Sequence, residues 1–295
     1  MPHDPARDRL ASLVIACALA VVAVAVAVVG ASPARVSAGE LLGDTRDPGD
    51  AAFIASHRGG AAVAPENTLE AVRIALDAGF SYVEVDVART ADGHAVLLHD
   101  ATVDRTTDGT GRLEDLDLSE VRSLDAGSWY SAEYAGARVP TLEEFLDVLA
   151  ASDARAILEL KGEWDGSGVA RVLSAIHDRR LDDRVAAASF DATALAHVAA
   201  QSETVHRMLI LRRLPDDAVR AAVDAGVRAL IVDRAAVIDR PAVVEELHDA
   251  GVRVVVYTLN TDAHWDEVTA LGVDGIITDD PFTLSDWQDG VARSR

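Results

Sequence analysis

The chain has 295 residues, a length that suits one large α/β domain. A formal net charge of −22 excludes nucleic acid as a partner, because phosphate backbones require a basic surface, and disfavours loose adsorption to anionic lipid. Apolar residues make up 49% but aromatics only 4%, so the core is built mainly from small and branched side chains.

The first element is an uncharged apolar run from Leu10 to Ala31, about 20 residues and so long enough to cross a bilayer as a helix. Arg7 and Arg9 precede it and acidic sequence follows, a weak bias that places the N-terminus inside and the remainder outside. Export to an extracytoplasmic location, secreted or membrane-anchored, is the expectation. Val36-Ser37-Ala38 offers a small-residue cleavage site, so residues 1–31 are either a removed signal peptide or, if uncleaved, a membrane anchor. Cys17, the only cysteine, lies inside this run, and the apolar residues after it argue against lipidation. The rest of the chain therefore has no thiolate, and any metal must take oxygen or imidazole ligands. Residues 32–50, rich in Ser, Pro, Gly and Asp, read as a linker.

From Ala51 onward, short β-branched runs alternate with helical stretches, the pattern of a parallel α/β fold. Strands are expected near 52–57, 82–87, 156–160, 185–190, 206–211, 228–233, 253–259 and 274–278. Helices are expected at Asn67–Ala78, Leu142–Ala151, Pro215–Ala225, Pro241–Ala250 and Ala263–Leu271, with Gly79, Gly226, Gly251 and Gly272 as stops after four of them. Eight strands predict a TIM-type (β/α)8 barrel over residues 51–288. The apolar run 95–98 follows Val87 too closely for a parallel crossover, so 84–99 is read as an antiparallel excursion that carries His99 back over the barrel mouth. The stretch 100–140 has few helix signals and is read as a small cap over the site.

Four polar clusters fall at the ends of early strands, where barrel active sites are built. His57-Arg58-Gly59-Gly60 combines an acid–base group, a guanidinium fork for phosphate oxygens and two glycines that allow close backbone approach. On local evidence a surface histidine in a glycine turn is equally compatible. Glu84 and Asp86 alternate on one face of a strand. Turned outward beneath helices, two unpaired anions would cost roughly several kcal/mol. Turned toward the mouth, they suit a hard cation such as Mg²⁺ or Ca²⁺. The structural alternative is bridging by Arg89 or Arg105. His99-Asp100 ends the excursion. Glu159 and Lys161 share a face, either as a third oxygen ligand beside a phosphate-directed cation or as a simple ion pair. Lys161 is the only lysine among 27 basic residues, and generic ion pairing would have accepted arginine. His177, His197, His206, His248 and His264 are read as structural.

In order, the chain presents His57-Arg58-Gly59-Gly60, Pro65-Glu66-Asn67-Thr68, Glu84-Val85-Asp86-Val87, His99-Asp100, Asp108-Gly109-Thr110-Gly111, Val139-Pro140-Thr141-Leu142, Glu159-Leu160-Lys161, Ser189-Phe190, Tyr257-Thr258-Leu259-Asn260 and Asp274-Gly275-Ile276-Ile277-Thr278-Asp279. This series resembles the glycerophosphodiester phosphodiesterase family across about residues 52–283. The resemblance implies metal-dependent hydrolysis of small-molecule phosphodiesters to glycerol 3-phosphate and an alcohol. It implies His57 and His99 as the acid–base pair, Glu84, Asp86 and Glu159 on one divalent cation (Ca²⁺ or Mg²⁺), and Arg58 and Lys161 on the phosphate. Phe190 and Tyr257 would line the substrate pocket, with Tyr257 standing where the family commonly has tryptophan. The alternative activity is phospholipase D-like cleavage of lysophospholipids with the same residues.

Overall fold

The computed structural model describes residues 41–294. Nine strands occur among them: β1 (Phe53–Ser56), β2 (Tyr82–Arg89), β3 (Ala95–Leu97), β4 (Arg155–Leu160), β5 (Val185–Ser189), β6 (His206–Leu211), β7 (Ala229–Asp233), β8 (Arg253–Tyr257) and β9 (Gly275–Thr278). All but β3 are parallel, and β1 pairs with both β2 and β9, so eight strands close into a barrel. Each barrel strand lies within two residues of its expected bounds. β3 pairs antiparallel with β2, Val87 opposite Leu97, which makes it the expected excursion.

Helices alternate with the strands, and several receive a local start signal. Thr68 caps the helix Leu69–Asp77 by accepting from the amide of Ala71. Thr141 and Glu144 form a reciprocal capping box on Leu142–Ala150. Gly226 ends the helix Ala218–Ala225 at φ 62°, a left-handed conformation that side chains with a Cβ resist.

Strand alternation then divides the core. Val83, Val85 and Val87 of β2 face outward and pack with Leu142, Phe145 and Leu149 of the surrounding helix layer. Inside the barrel, Ala186, Ala188 and Ala229 lie among Ile157, Met208, Ile210, Ile231 and Val255. Small and branched side chains fill the barrel, as the aromatic-poor composition implies. A separate apolar cluster, including Val96, Leu98, Val103, Leu113 and Val139, supports the cap. The cap is mostly irregular, with only short helical turns at Leu113–Asp115, Leu118–Val121 and Ala132–Tyr134. The hydroxyls of Tyr130 and Tyr134 donate to the carbonyls of Ala62 and Val63 and fasten the cap to the loop after β1.

One assignment needs correction. Leu41 and Leu42, placed in the linker by composition, are each 1% exposed and pack inside the barrel with Phe53 and Tyr82. Tyr82 donates its hydroxyl to the Leu41 carbonyl, and Arg253 donates twice to the carbonyl of Gly43. Residues from 41 onward therefore close the barrel floor. The apolar run 10–31, Cys17 and the cleavage site lie outside the described residues. Among the described residues no helix is long and apolar enough to cross a membrane.

Candidate active site

The inward row of β2 runs Tyr82, Glu84, Asp86 from floor to mouth, and Glu159 of β4 stands beside Asp86 in register. One oxygen from each of Glu84, Asp86 and Glu159 lies within 4.8 Å of the others. Glu84 and Asp86 are buried and Glu159 nearly so. Burial first, and then the charges of Asp86 and Glu159, push the Glu84 carboxyl up to about 8. Burial also works upward on Asp86, but Lys161 and Arg58 outweigh it and hold that carboxyl below its ordinary value. Asp86 Oδ1 is buried without a hydrogen bond and faces the Lys161 ammonium at 3.1 Å. Three crowded carboxylates, one of them raised chiefly by burial and then by its neighbours, fit a hard divalent cation.

The cations around this cluster come from two strand ends. Lys161 follows β4, with its ammonium 2.6 Å from Glu159. Burial lowers its pKa, but Asp86 and Glu159 raise it further, so it is held charged. Arg58 follows β1 in a left-handed turn (φ 54°). Its guanidinium contacts Glu66 at 2.7 Å and Asp86 at 3.3 Å, and its amide N–H donates to Glu84. Gly59 lets this turn lie against the helix Leu69–Asp77, since a Cβ there would meet the Val72 amide at 2.9 Å. Arg89 and Arg105, the bridging partners considered from sequence, do neither job. Arg89 lies over Trp164, and Arg105 pairs with Glu66 and Asp100.

The two histidines are held alike. Nδ1 of His57 is 2.6 Å from Asp279 Oδ1, and Nδ1 of His99 is 2.6 Å from Asp100 Oδ1. Each carboxylate favours the tautomer with hydrogen on Nδ1, leaving Nε2 for chemistry. Burial lowers the pKa of His57, but the hydrogen bond to Asp279 and the charge of Glu84, 3.9 Å away, raise it above the ordinary histidine value. Asp100 is brought down to about 2, chiefly by its hydrogen bond from Arg105.

Two cavities lie beside these groups. A small one, about 30 Å³, is lined by His57, Glu84, Glu159 and Tyr257. A larger one, about 660 Å³, lies under the cap and is lined by His99, Asp100 and Lys161. Phe190 and Tyr257 meet edge to face at the opposite rim, ring centroids 6.3 Å apart, and Phe190 is 41% exposed.

Sequence reading gave no role to Glu66, Asn67, Asn260 or Asp279, and weighed Arg105 only as a bridge for Glu84 and Asp86; these five residues build the support. Asn67 exchanges two hydrogen bonds with Asp86, while Asn260 donates to Asp279 and receives its amide. Asp279 was open to discovery as a polar residue just past a barrel strand. The pairings of Glu66 and Arg105 span 39 positions and leave no local signal. The histidines read as structural lie elsewhere: His248 binds Asp274, His177 binds Asp182, and His206 is buried at the start of β6.

The profile of the Glycerophosphoryl diester phosphodiesterase family matches residues 57–283. A glycerophosphodiester phosphodiesterase of Caldanaerobacter subterraneus subsp. tengcongensis is 32% identical over 239 residues, covering 79% of this chain and 96% of that protein. An Oleispira antarctica phosphodiesterase, solved with the product sn-glycerol-3-phosphate, superposes with a TM-score of 0.77 at 28% identity, covering 80% of this chain and 96% of the other. A glycerophosphodiester phosphodiesterase from Agrobacterium tumefaciens gives 0.70 at 30% identity, with 80% and 100% covered.

Proposed function

The chain belongs to the glycerophosphoryl diester phosphodiesterase family and is a phosphoric diester hydrolase acting on glycerophosphodiesters, and from that premise we propose how its residues divide the work. His57 and His99 are the acid–base pair, and Glu84, Asp86 and Glu159 hold one divalent cation, Ca²⁺ or Mg²⁺. The observation that carries this reading is the placement of two carboxylate-held histidines beside a crowded trio of carboxylates.

The substrate phosphate lies against Lys161 and Arg58, whose charges oppose the negative charge that builds on its oxygens. His57 removes the proton of the glycerol 2-hydroxyl, which attacks phosphorus. His99, on the wall of the larger cavity, protonates the departing alcohol oxygen as its bond to phosphorus breaks. In the second half the roles reverse: His99 takes a proton from water, water opens the cyclic phosphate, and His57 returns a proton to the 2-oxygen. Glu84, Asp86 and Glu159 would hold a divalent cation, which when bound would supply positive charge against the negative charge of the reacting phosphate. Phe190 and Tyr257 flank the glycerol with flat apolar surface. The larger cavity is walled chiefly by charged and small residues, which suits a polar alcohol rather than an acyl chain.

Glycerol 3-phosphate release from glycerophosphoethanolamine, by protein stripped of metal and then given Ca²⁺ or Mg²⁺, tests the cation. Activity should vanish and return. Full turnover by demonstrably metal-free protein contradicts the proposal. We also propose export through the apolar run 10–31, so that the barrel works outside the cytoplasm. A reporter active only in the cytoplasm, fused after Arg295, should be silent, and full reporter activity contradicts it.

A further inference from the structure

The larger cavity has an uneven charge inventory. Lys161 is held by Asp86 and Glu159, and Asp100 by His99 and Arg105. Arg112 pairs with Glu114. Arg89 donates to the backbone carbonyl of Glu163, and its guanidinium carbon lies 5.2 Å from the Trp164 ring centroid. Each of these charges is already answered within the protein. The Glu163 carboxylate is the exception: it lines the cavity, is exposed, and has no side-chain partner among the described residues.

Position makes this carboxylate relevant to the reaction. Glu163 lies two residues beyond Lys161 in the loop after β4 and lines the same cavity as His99. A leaving alcohol protonated by His99 extends into this cavity. We propose that Glu163 is a specificity determinant that selects leaving alcohols bearing a primary ammonium group, an inference that rests on the acid–base assignment above. A primary ammonium offers three N–H donors to a carboxylate, whereas a quaternary ammonium offers none and relies on aromatic faces. No Phe, Tyr or Trp lines this cavity among the described residues, so a quaternary head group relies mainly on charge attraction. A neutral polyol lacks even that.

The test compares kcat/KM for glycerophosphoethanolamine, glycerophosphocholine and glycerophosphoglycerol, using the full chain with its activating cation and Glu163→Gln. The wild type should favour the ethanolamine diester over glycerophosphoglycerol by roughly fivefold, the scale of one exposed ion pair, and over glycerophosphocholine by less. Glu163→Gln should bring both ratios close to one. The wild-type preference over the neutral glycerophosphoglycerol should shrink with added salt, which a purely steric effect would not do. Equal wild-type rates, or a preference unchanged in the variant, overturn the inference while leaving the hydrolase reading intact. A wild type inert toward all three diesters overturns the catalytic reading itself, and this inference with it.

Discussion

The floor and the mouth of the barrel treat buried charge in opposite ways. At the floor, Asp274 is fully buried, yet it accepts from the amides of Val254 and Arg46 and pairs with His248 at 2.8 Å. Arg253 gives two hydrogen bonds to the Gly43 carbonyl. Buried His206 is kept neutral, brought down to about 4 by burial and by Arg228 and Arg207. At the mouth, three carboxylates crowd together and Glu84 is pushed up to about 8. Charge that serves the fold is satisfied by backbone or neutralised. The crowded carboxylates at the mouth, proposed above to hold a cation, are left under-compensated by comparison.

Substitutions at the two ends should therefore separate activity from stability. At the mouth, Asp86→Asn removes a proposed cation ligand and should cost at least roughly 100-fold in kcat/KM, the upper range for an outer-sphere partner. Cation titration by calorimetry should show weakened binding, and wild-type affinity would exclude Asp86 as a ligand. Asp279→Asn removes a positioning residue and should cost roughly 10-fold to 100-fold, less than loss of an acid–base group itself. Without its partner carboxylate His57 loses a stabiliser of its charged form, so the acid limb of the rate profile should move to lower pH. An unmoved limb would assign Asp279 to structure alone.

At the floor, Leu42→Ala opens a fully buried site and should destabilise by about 3 kcal/mol, lowering Tm by roughly 5–10 °C. Turnover well below the new Tm should be unchanged, and a large fall in kcat would mean that the floor and mouth are coupled. The smallest effect is a gain at the mouth. The folded-state pKa of Glu84 lies above its unfolded value, so the ion-free fold binds the extra proton and loses stability as pH rises from about 4.5 to about 8. Glu84→Gln should thus melt a few degrees above ion-free wild type at pH 8, with the gap closing toward pH 5. Saturating Ca²⁺ should stabilise the wild type and leave the variant nearly unmoved.

Legibility in the sequence follows the range of the interactions. Strands of the barrel were readable because β-branched runs and glycine stops are local signals. The excursion was readable from crossover length alone. Glu84, Asp86, Glu159 and Lys161 were legible because strand period 2 fixes their shared face. The floor was missed because Leu41 and Leu42 form two apolar positions in a polar stretch, without a period to read. Asp279 was seen as part of a motif but not as the partner of His57, because that pairing exists only once β1 and β9 meet at barrel closure.

The central claim is that His57 and His99 act as one acid–base unit, and the direct measurement is glycerol 3-phosphate release by His57→Ala, His99→Ala and the double variant. Each protein must first be shown to be folded and cation-loaded. Each single variant should lose roughly 10²–10⁴ in kcat, with Tm little changed. The double variant should be scarcely worse than the poorer single one, because residues working as a unit are non-additive. A near-wild-type rate in either single variant would remove that histidine from the reaction. Fully multiplicative losses would contradict the pairing.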